Sequence, residues 1–183
     1  MKNKAYNLLF YTFSAAEQIV VDANVWLYLF PPPGNPQAGF AKSYSHHFAR
    51  MIGAGARPVL DPIVMSEYLN RYCRIEWQGR YETIYSDFKK FRQSVDFKAV
   101  STSAVAFARK ILSMSSRHTI PSNEVDIQQA LDDFAAGAMD FNDAVLAGIC
   151  KKHGFKLLTN DADFQSGGIE VLTANPKLLQ VCL

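Results

Sequence analysis

The apolar run Ile19-Val20-Val21 ends in a carboxylate, Asp22, and the chain passes within three residues into Val25-Trp26-Leu27-Tyr28-Leu29-Phe30. Few arrangements narrow the choice of fold so far. A short apolar run rich in β-branched residues predicts a strand buried on both faces, as in parallel sheets covered by helices. An acid at the carboxyl end of such a strand, just ahead of a helix, stands where open α/β sheets hold their ligands. The plainer role for Asp22 is that of a helix N-cap.

Strand and helix signals alternate along the rest of the chain. Pro31-Pro32-Pro33-Gly34-Asn35-Pro36 ends the first helix, since proline lacks the N–H and glycine and asparagine accept turns. Phe40 to Ile52 has helical spacing, Gly53-Ala54-Gly55 stops it, and Val59-Leu60 is a short strand candidate. Asp61-Pro62 is a helix start, with Asp as N-cap and Pro at the first position, and the helix is expected to run to Trp77. A second helix is predicted over Arg80 to Gln93, a brief strand at Phe97 to Val100, and a helix over Ser103 to Met114. A loop at Thr119 to Asn123 leads to a helix from Glu124 to Ala136. Acids open the stretch Asp140 to Gly154 and Lys151, Lys152 and His153 close it, the usual polarity of a helix. Lys156 to Thr159 and Ile169 to Leu172 are the last strand candidates. The alternation predicts an α/β fold with a parallel sheet and helices on both faces.

Composition limits the chemistry. At 183 residues one domain with a sizeable core is expected: residues 19–183, preceded by an extension over residues 1–18 that adds a strand or an arm. The net charge of +2 permits a polyanionic partner without requiring one. Cys73, Cys150 and Cys182 are odd in number and contain no CxxC pair, which argues against a disulfide framework or thiolate zinc site and fits buried thiols in a reducing, cytoplasmic setting. His46, His47, His118 and His153 lack HExxH spacing. Any metal must then rest on carboxylates, which favours Mg²⁺ or Mn²⁺. No apolar run approaches the ~20 residues of a membrane span.

Four acidic positions share one logic. Asp22 follows a strand, Asp161 with Asp163 follows another, Asp143 with Asp140 opens a helix, and Glu67 lies early in a helix that follows a strand. In a parallel sheet the chain leaving a strand and the chain entering the next helix occupy the same edge. All four can therefore converge on one cleft. Crowded carboxylates raise one another's pKa, and a hard divalent cation relieves the repulsion. Each acid also has a structural role open to it: Asp140 as N-cap, Asp143 against the helix dipole, Glu67 paired with Arg71 at i,i+4, Asp161 and Asp163 as turn residues.

Asp22-Ala-Asn24, Ser66-Glu67, Asp143-Ala-Val-Leu-Ala-Gly and Leu158-Thr159-Asn160-Asp161-Ala-Asp163-Phe164 resemble, in order, the four motifs of the PIN-domain ribonucleases, and most closely the VapC-type toxins of toxin–antitoxin modules. The resemblance implies a three-layer α/β/α sandwich and Mg²⁺- or Mn²⁺-dependent cleavage of RNA. It implies Asp22, Glu67, Asp143 and Asp161 as metal-binding catalytic acids, with Asp163 in reserve, and Asn24 and Thr159 as polar supports. An antitoxin protein and a second copy of the chain are the partners it implies. Arg71 and Arg74 are candidate cations for the phosphate, with an intrahelical salt bridge or a solvated face as the competing role. Two other classes fit the same residues: a PIN fold that binds RNA or protein without cutting, and an aspartyl-phosphate enzyme using Asp22 as nucleophile. A dehalogenase-like site of that last kind would want an acid where Asn24 stands.

Overall fold

The computed structural model describes residues 1–34, 38–117, 126–137 and 139–182. Its centre is a parallel six-stranded sheet. In chain order the elements are β1 (Lys4–Asn7), β2 (Gln18–Val21), α1 (Ala23–Leu29), α2 (Ala38–Gly53), β3 (Arg57–Leu60), α3 (Pro62–Glu76), α4 (Phe88–Arg92), α5 (Asp96–Met114), β4 (Ser116–Arg117), α6 (Ile127–Ala135), α7 (Phe141–His153), β5 (Lys156–Leu158), β6 (Glu170–Thr173) and α8 (Pro176–Val181). Strand order across the sheet is β1-β6-β5-β2-β3-β4, with every pair parallel. Helices cover both faces, giving the expected three-layer α/β/α sandwich. On one side α1 packs against α2 and α3, and α3 against α5, while α6 and α7 form a separate pair.

β2 lies near the middle, and Ile19, Val20 and Val21 are fully buried. From β2 the chain crosses to β3 on one side, and β5 adds on the other. The carboxyl ends of the strands at such a reversal of direction are the place where sheets of this kind bind ligands. Asp61 caps α3 as expected, its side chain accepting from the Ile63 N–H at 2.8 Å. Gly154 ends α7 in the left-handed conformation, φ 68°, which costs glycine nothing. Cys73, Cys150 and Cys182 are free and buried.

Residues 1–18 are built into the sheet. β1 pairs with β6, Lys4 opposite Glu170. Asn3 is buried and spans a turn, donating to the Phe164 carbonyl at 3.1 Å and accepting from the Ile169 N–H at 2.9 Å. Arg50 of α2 donates to the carbonyls of Leu8 (3.0 Å) and Tyr11 (2.8 Å).

The helix predicted over Arg80 to Gln93 is not continuous. A π-helical turn, Trp77–Tyr81, follows α3, and α4 starts afresh at Asp87, whose carboxylate accepts from the Lys90 N–H at 2.8 Å. The aromatic spacing that suggested one helix arises from a folded-back cluster in which Tyr81 stacks on the buried Phe91, 4.9 Å between ring centres. Phe97 to Val100 is not a strand but part of α5. Val100, Ala104, Ala108 and Ile111 are its buried face, so the apolar period there was helical. β4 is two residues long and carries no apolar side chain, whereas α8 was not anticipated although Asn175-Pro176 is a helix start followed by Leu178, Leu179 and Val181. The last strand begins at Glu170, one residue later than expected. The loop expected at 119–123 and the start of the helix expected from Glu124 lie outside the described residues, as do Asn35, Pro36 and His118; the described part of that helix is α6. Among the described residues no helix is long and apolar enough to cross a membrane.

Candidate active site

Asp22 is the first residue beyond β2, still in extended conformation, with its N–H on the Leu158 carbonyl at 3.0 Å. It occupies the N-cap position of α1, yet its side chain makes no capping hydrogen bond. The carboxylate instead turns toward the neighbouring strand end. Its Oδ2 accepts from Thr159 Oγ1 at 2.5 Å and Asn24 Nδ2 at 2.8 Å. Only 4% of Asp22 is exposed. Burial pushes its carboxyl up to about 6; the Thr159 hydroxyl pulls the other way, and the charges of Glu67 and Asp161 add to the rise.

Asp143 enters from the first turn of α7. Its carboxyl is pushed up to about 8, first by burial and then by the charges of Asp22, Asp161, Glu67 and Asp140. Asp22, Glu67, Asp143 and Asp161 therefore share one electrostatic neighbourhood at the sheet edge, although 121 positions separate the first from the third.

Some of the remaining candidates lie beside these acids and others do not. Thr159 is fully buried and donates to Asp22 while accepting from the Asp161 N–H at 2.9 Å. Asp161 Oδ1 receives the Asp163 N–H at 3.0 Å, so its turn role and its place beside the other acids coexist. Asp163 is exposed and is not among the charges acting most strongly on Asp22 or Asp143. It lines, with Asp140 and Lys2, an open depression of about 800 Å³. Asp140 sits at the N-cap of α7 without a capping side-chain bond. Glu67 accepts from Arg71 at 3.1 Å, and the Arg71 charge also reaches the Tyr28 hydroxyl. Arg74 is elsewhere: its guanidinium lies over the Phe88 ring, 4.6 Å from the centre.

Three supports were not anticipated. The Asn160 N–H donates to Asn24 Oδ1 at 3.2 Å, its Nδ2 donates to the Tyr28 hydroxyl at 3.0 Å, and its Oδ1 accepts from the Tyr44 hydroxyl at 2.9 Å. Asn160 thereby ties the end of β5 to α1 and α2. Tyr28 stands four residues after Asn24, on the same helical face, a spacing visible in the sequence once Asn24 is given a role. Tyr44 offered no comparable signal, because its partners are far along the chain.

Thr159→Val tests how the supports act. The change keeps the shape but leaves a buried carboxylate and the Asp161 N–H short of a partner. We expect a loss of about 1–3 kcal/mol in urea unfolding, and an Asp22 carboxyl that titrates still higher by NMR.

Every donor in this group is a hard oxygen, and two of the acids are driven toward the neutral form by burial and mutual repulsion, which a divalent cation would offset. Among the described residues no three acid, histidine or cysteine side chains close tightly enough to cage an ion alone.

The PIN domain family model matches residues 19–170. No curated protein matches the chain in sequence. Among solved structures, the chain is similar to the VapBC2 complex of Rickettsia felis bound to a DNA fragment from its promoter, at 12% identity and TM-score 0.55, over 85% of this chain and 98% of that one. It is similar also to PAE2754 from Pyrobaculum aerophilum, at 18% identity and TM-score 0.51, over 96% and 95% of the two chains. At these identities the likeness is one of fold. The family match spans most of the chain, from the first residue of the apolar run into β6, and the chain belongs to the PIN domain family.

Proposed function

We propose that the protein is a divalent-metal-dependent endoribonuclease that hydrolyses phosphodiester bonds of single-stranded or looped RNA. The observation that carries this reading is the carboxyl of Asp143, held near 8 by burial and by the charges of Asp22, Asp161 and Glu67. A site that crowds acids in this way is costly without a cation and suited to one with it.

Asp22 and Asp143 would hold a Mg²⁺ or Mn²⁺, with Glu67 and Asp161 as ligands directly or through water, and the ion would polarise a phosphoryl oxygen and lower the pKa of a bound water. Thr159 and Asn24 hold the Asp22 carboxylate in one orientation by two hydrogen bonds. Asn160 fixes the loop that carries Asp161. Arg71, drawn to Glu67 and half-exposed, offers a guanidinium for the charge that builds on the phosphate. An aspartyl-phosphate mechanism is disfavoured, because Asp22 is almost wholly buried and one of its oxygens is already committed to two donors.

The resemblance of the motifs to VapC-type toxins, and the fold shared with a VapBC2 complex, support a role as the toxin of a toxin–antitoxin module. Its partners would be an antitoxin protein and a second copy of the chain.

The test is cleavage of a labelled single-stranded RNA with Mn²⁺, with Mg²⁺ and with excess chelator. We expect turnover with either ion and none in chelator. Cleavage that persists in chelator, or in the Asp22→Asn/Asp143→Asn double variant, overturns the assignment. RNA binding without turnover in any metal would instead make the chain a non-cleaving PIN module.

A further inference from the structure

Arg74, Lys89 and Arg92 converge on one cavity of about 470 Å³, lined also by Phe88 and Gln93 and by no carboxylate. None of the three cations has an ion-pair partner among the described residues. Like charges gathered without a counter-charge are unfavourable unless an anion visits them. Phe88 and Arg92 also line a second, mainly apolar cavity of about 210 Å³, whose lining includes Leu69, Phe97, Asn70 and Ser101. A cationic hollow and an apolar hollow thus share a wall made of an aromatic ring and a guanidinium.

We infer that this groove between α3 and α4 is a second nucleic-acid contact, taking one nucleotide of single-stranded RNA with its phosphate on Arg74, Lys89 and Arg92 and its base in the apolar cavity. The inference rests on the ribonuclease reading for the identity of the strand. Single strands are held by cationic grooves combined with aromatic and arginine faces on which bases stack, and both are present here. Continuity with the acids favours RNA over an acidic peptide. Arg71 and Arg74 share a face of α3, and at 1.5 Å per residue Arg74 lies only about 10 Å along the axis from Glu67. A strand leaving the acids past Arg71 reaches the groove within a few nucleotides.

The experiment compares wild type with Arg74→Ala/Arg92→Ala. Fluorescence anisotropy with labelled oligouridylate, in chelator so that nothing is cut, gives the dependence of affinity on salt. Loss of this one phosphate contact from a single strand should flatten the slope of log K against log[salt] by about 0.7. The ratio of kcat/KM on a 12-nucleotide substrate to that on a trinucleotide should fall about tenfold. Arg74→Lys/Arg92→Lys keeps the charges and should keep the slope, which separates charge from misfolding. An unchanged slope with an unchanged length ratio overturns the proposal. Competition by polyglutamate as strong as by oligouridylate of equal charge overturns it in favour of an acidic protein partner. If wild type cuts no RNA in any metal and the slope still flattens, the groove stands and the nuclease reading falls.

Discussion

Asp143→Asn will make the metal-free protein more stable above neutral pH while abolishing the proposed RNA cleavage. Both effects follow from one carboxyl. In the unfolded chain Asp143 loses its proton near 3.8, whereas in the folded protein it keeps it up to about 8. Between those values folding takes up a proton, so stability falls as pH rises through the window and levels off above it. Asp22, pushed up to about 6, contributes the same sign over the lower part. Asn removes the Asp143 charge and with it that part of the decline, leaving the smaller part due to Asp22. Because Asp143 is only partly buried and solvent screens it, we expect a gain of about 5 °C in metal-free Tm at pH 8, and none at pH 4. Differential scanning calorimetry across pH, with and without Mn²⁺, measures this. In wild type, Mn²⁺ should raise Tm at pH 8 and have little effect at pH 5, where protons occupy the same oxygens. Cleavage should drop by a factor of about 10³ or more, the scale of losing a charge-stabilising group. A variant less stable than wild type at pH 8 would show that the acids do not repel as described.

Removing residues 1–13 is the second change with a large effect, and we expect it to leave a chain that does not fold. The segment supplies β1 and the fully buried Leu8, and Phe13 is 8% exposed. It also supplies Asn3, which satisfies two backbone groups of the turn between β5 and β6, and the carbonyls that engage Arg50. Leu8→Ala alone should cost about 2–5 kcal/mol and Asn3→Ala about 1–3 kcal/mol. Together these approach the 5–15 kcal/mol that holds a typical domain. Urea unfolding of the point variants, and solubility with circular dichroism of the truncation, measure the series. A soluble truncated chain with an unshifted midpoint would reduce β1 to an ornament.

Asp22, Asp143 and Asp161 were legible because local grammar placed them. A buried strand ending in an acid and a helix opened by one are short-range patterns, and a parallel sheet sends both to the same edge. Other parts depended on distance along the chain. Nothing near Lys4 announces pairing with Glu170, and Tyr44 gives no sign that it will hold Asn160. Tyr81, Tyr85, Phe88 and Phe91 fit a helical period and were assigned to a single helix, but an aromatic cluster folded back on itself satisfies the same spacing, and Asp87 restarts the chain in the middle of it. Phe97 and Val100 were too few to tell period two from period 3.6 until Ala104, Ala108 and Ile111 joined them. Arg74 sat correctly on the face of Arg71, yet the ring of Phe88 drew it away from the acids.

The register that sets Lys4 beside Glu170 has a bearing on synthesis. Those partners are 166 positions apart, so everything up to β6 must leave the ribosome before β1 can dock. Asp143 and Asp161 also emerge late, after every residue of the β2–β3 half of the sheet. A nascent chain therefore carries Asp22 and Glu67 ahead of their companions, and the acidic pocket can assemble only after residue 161 has emerged.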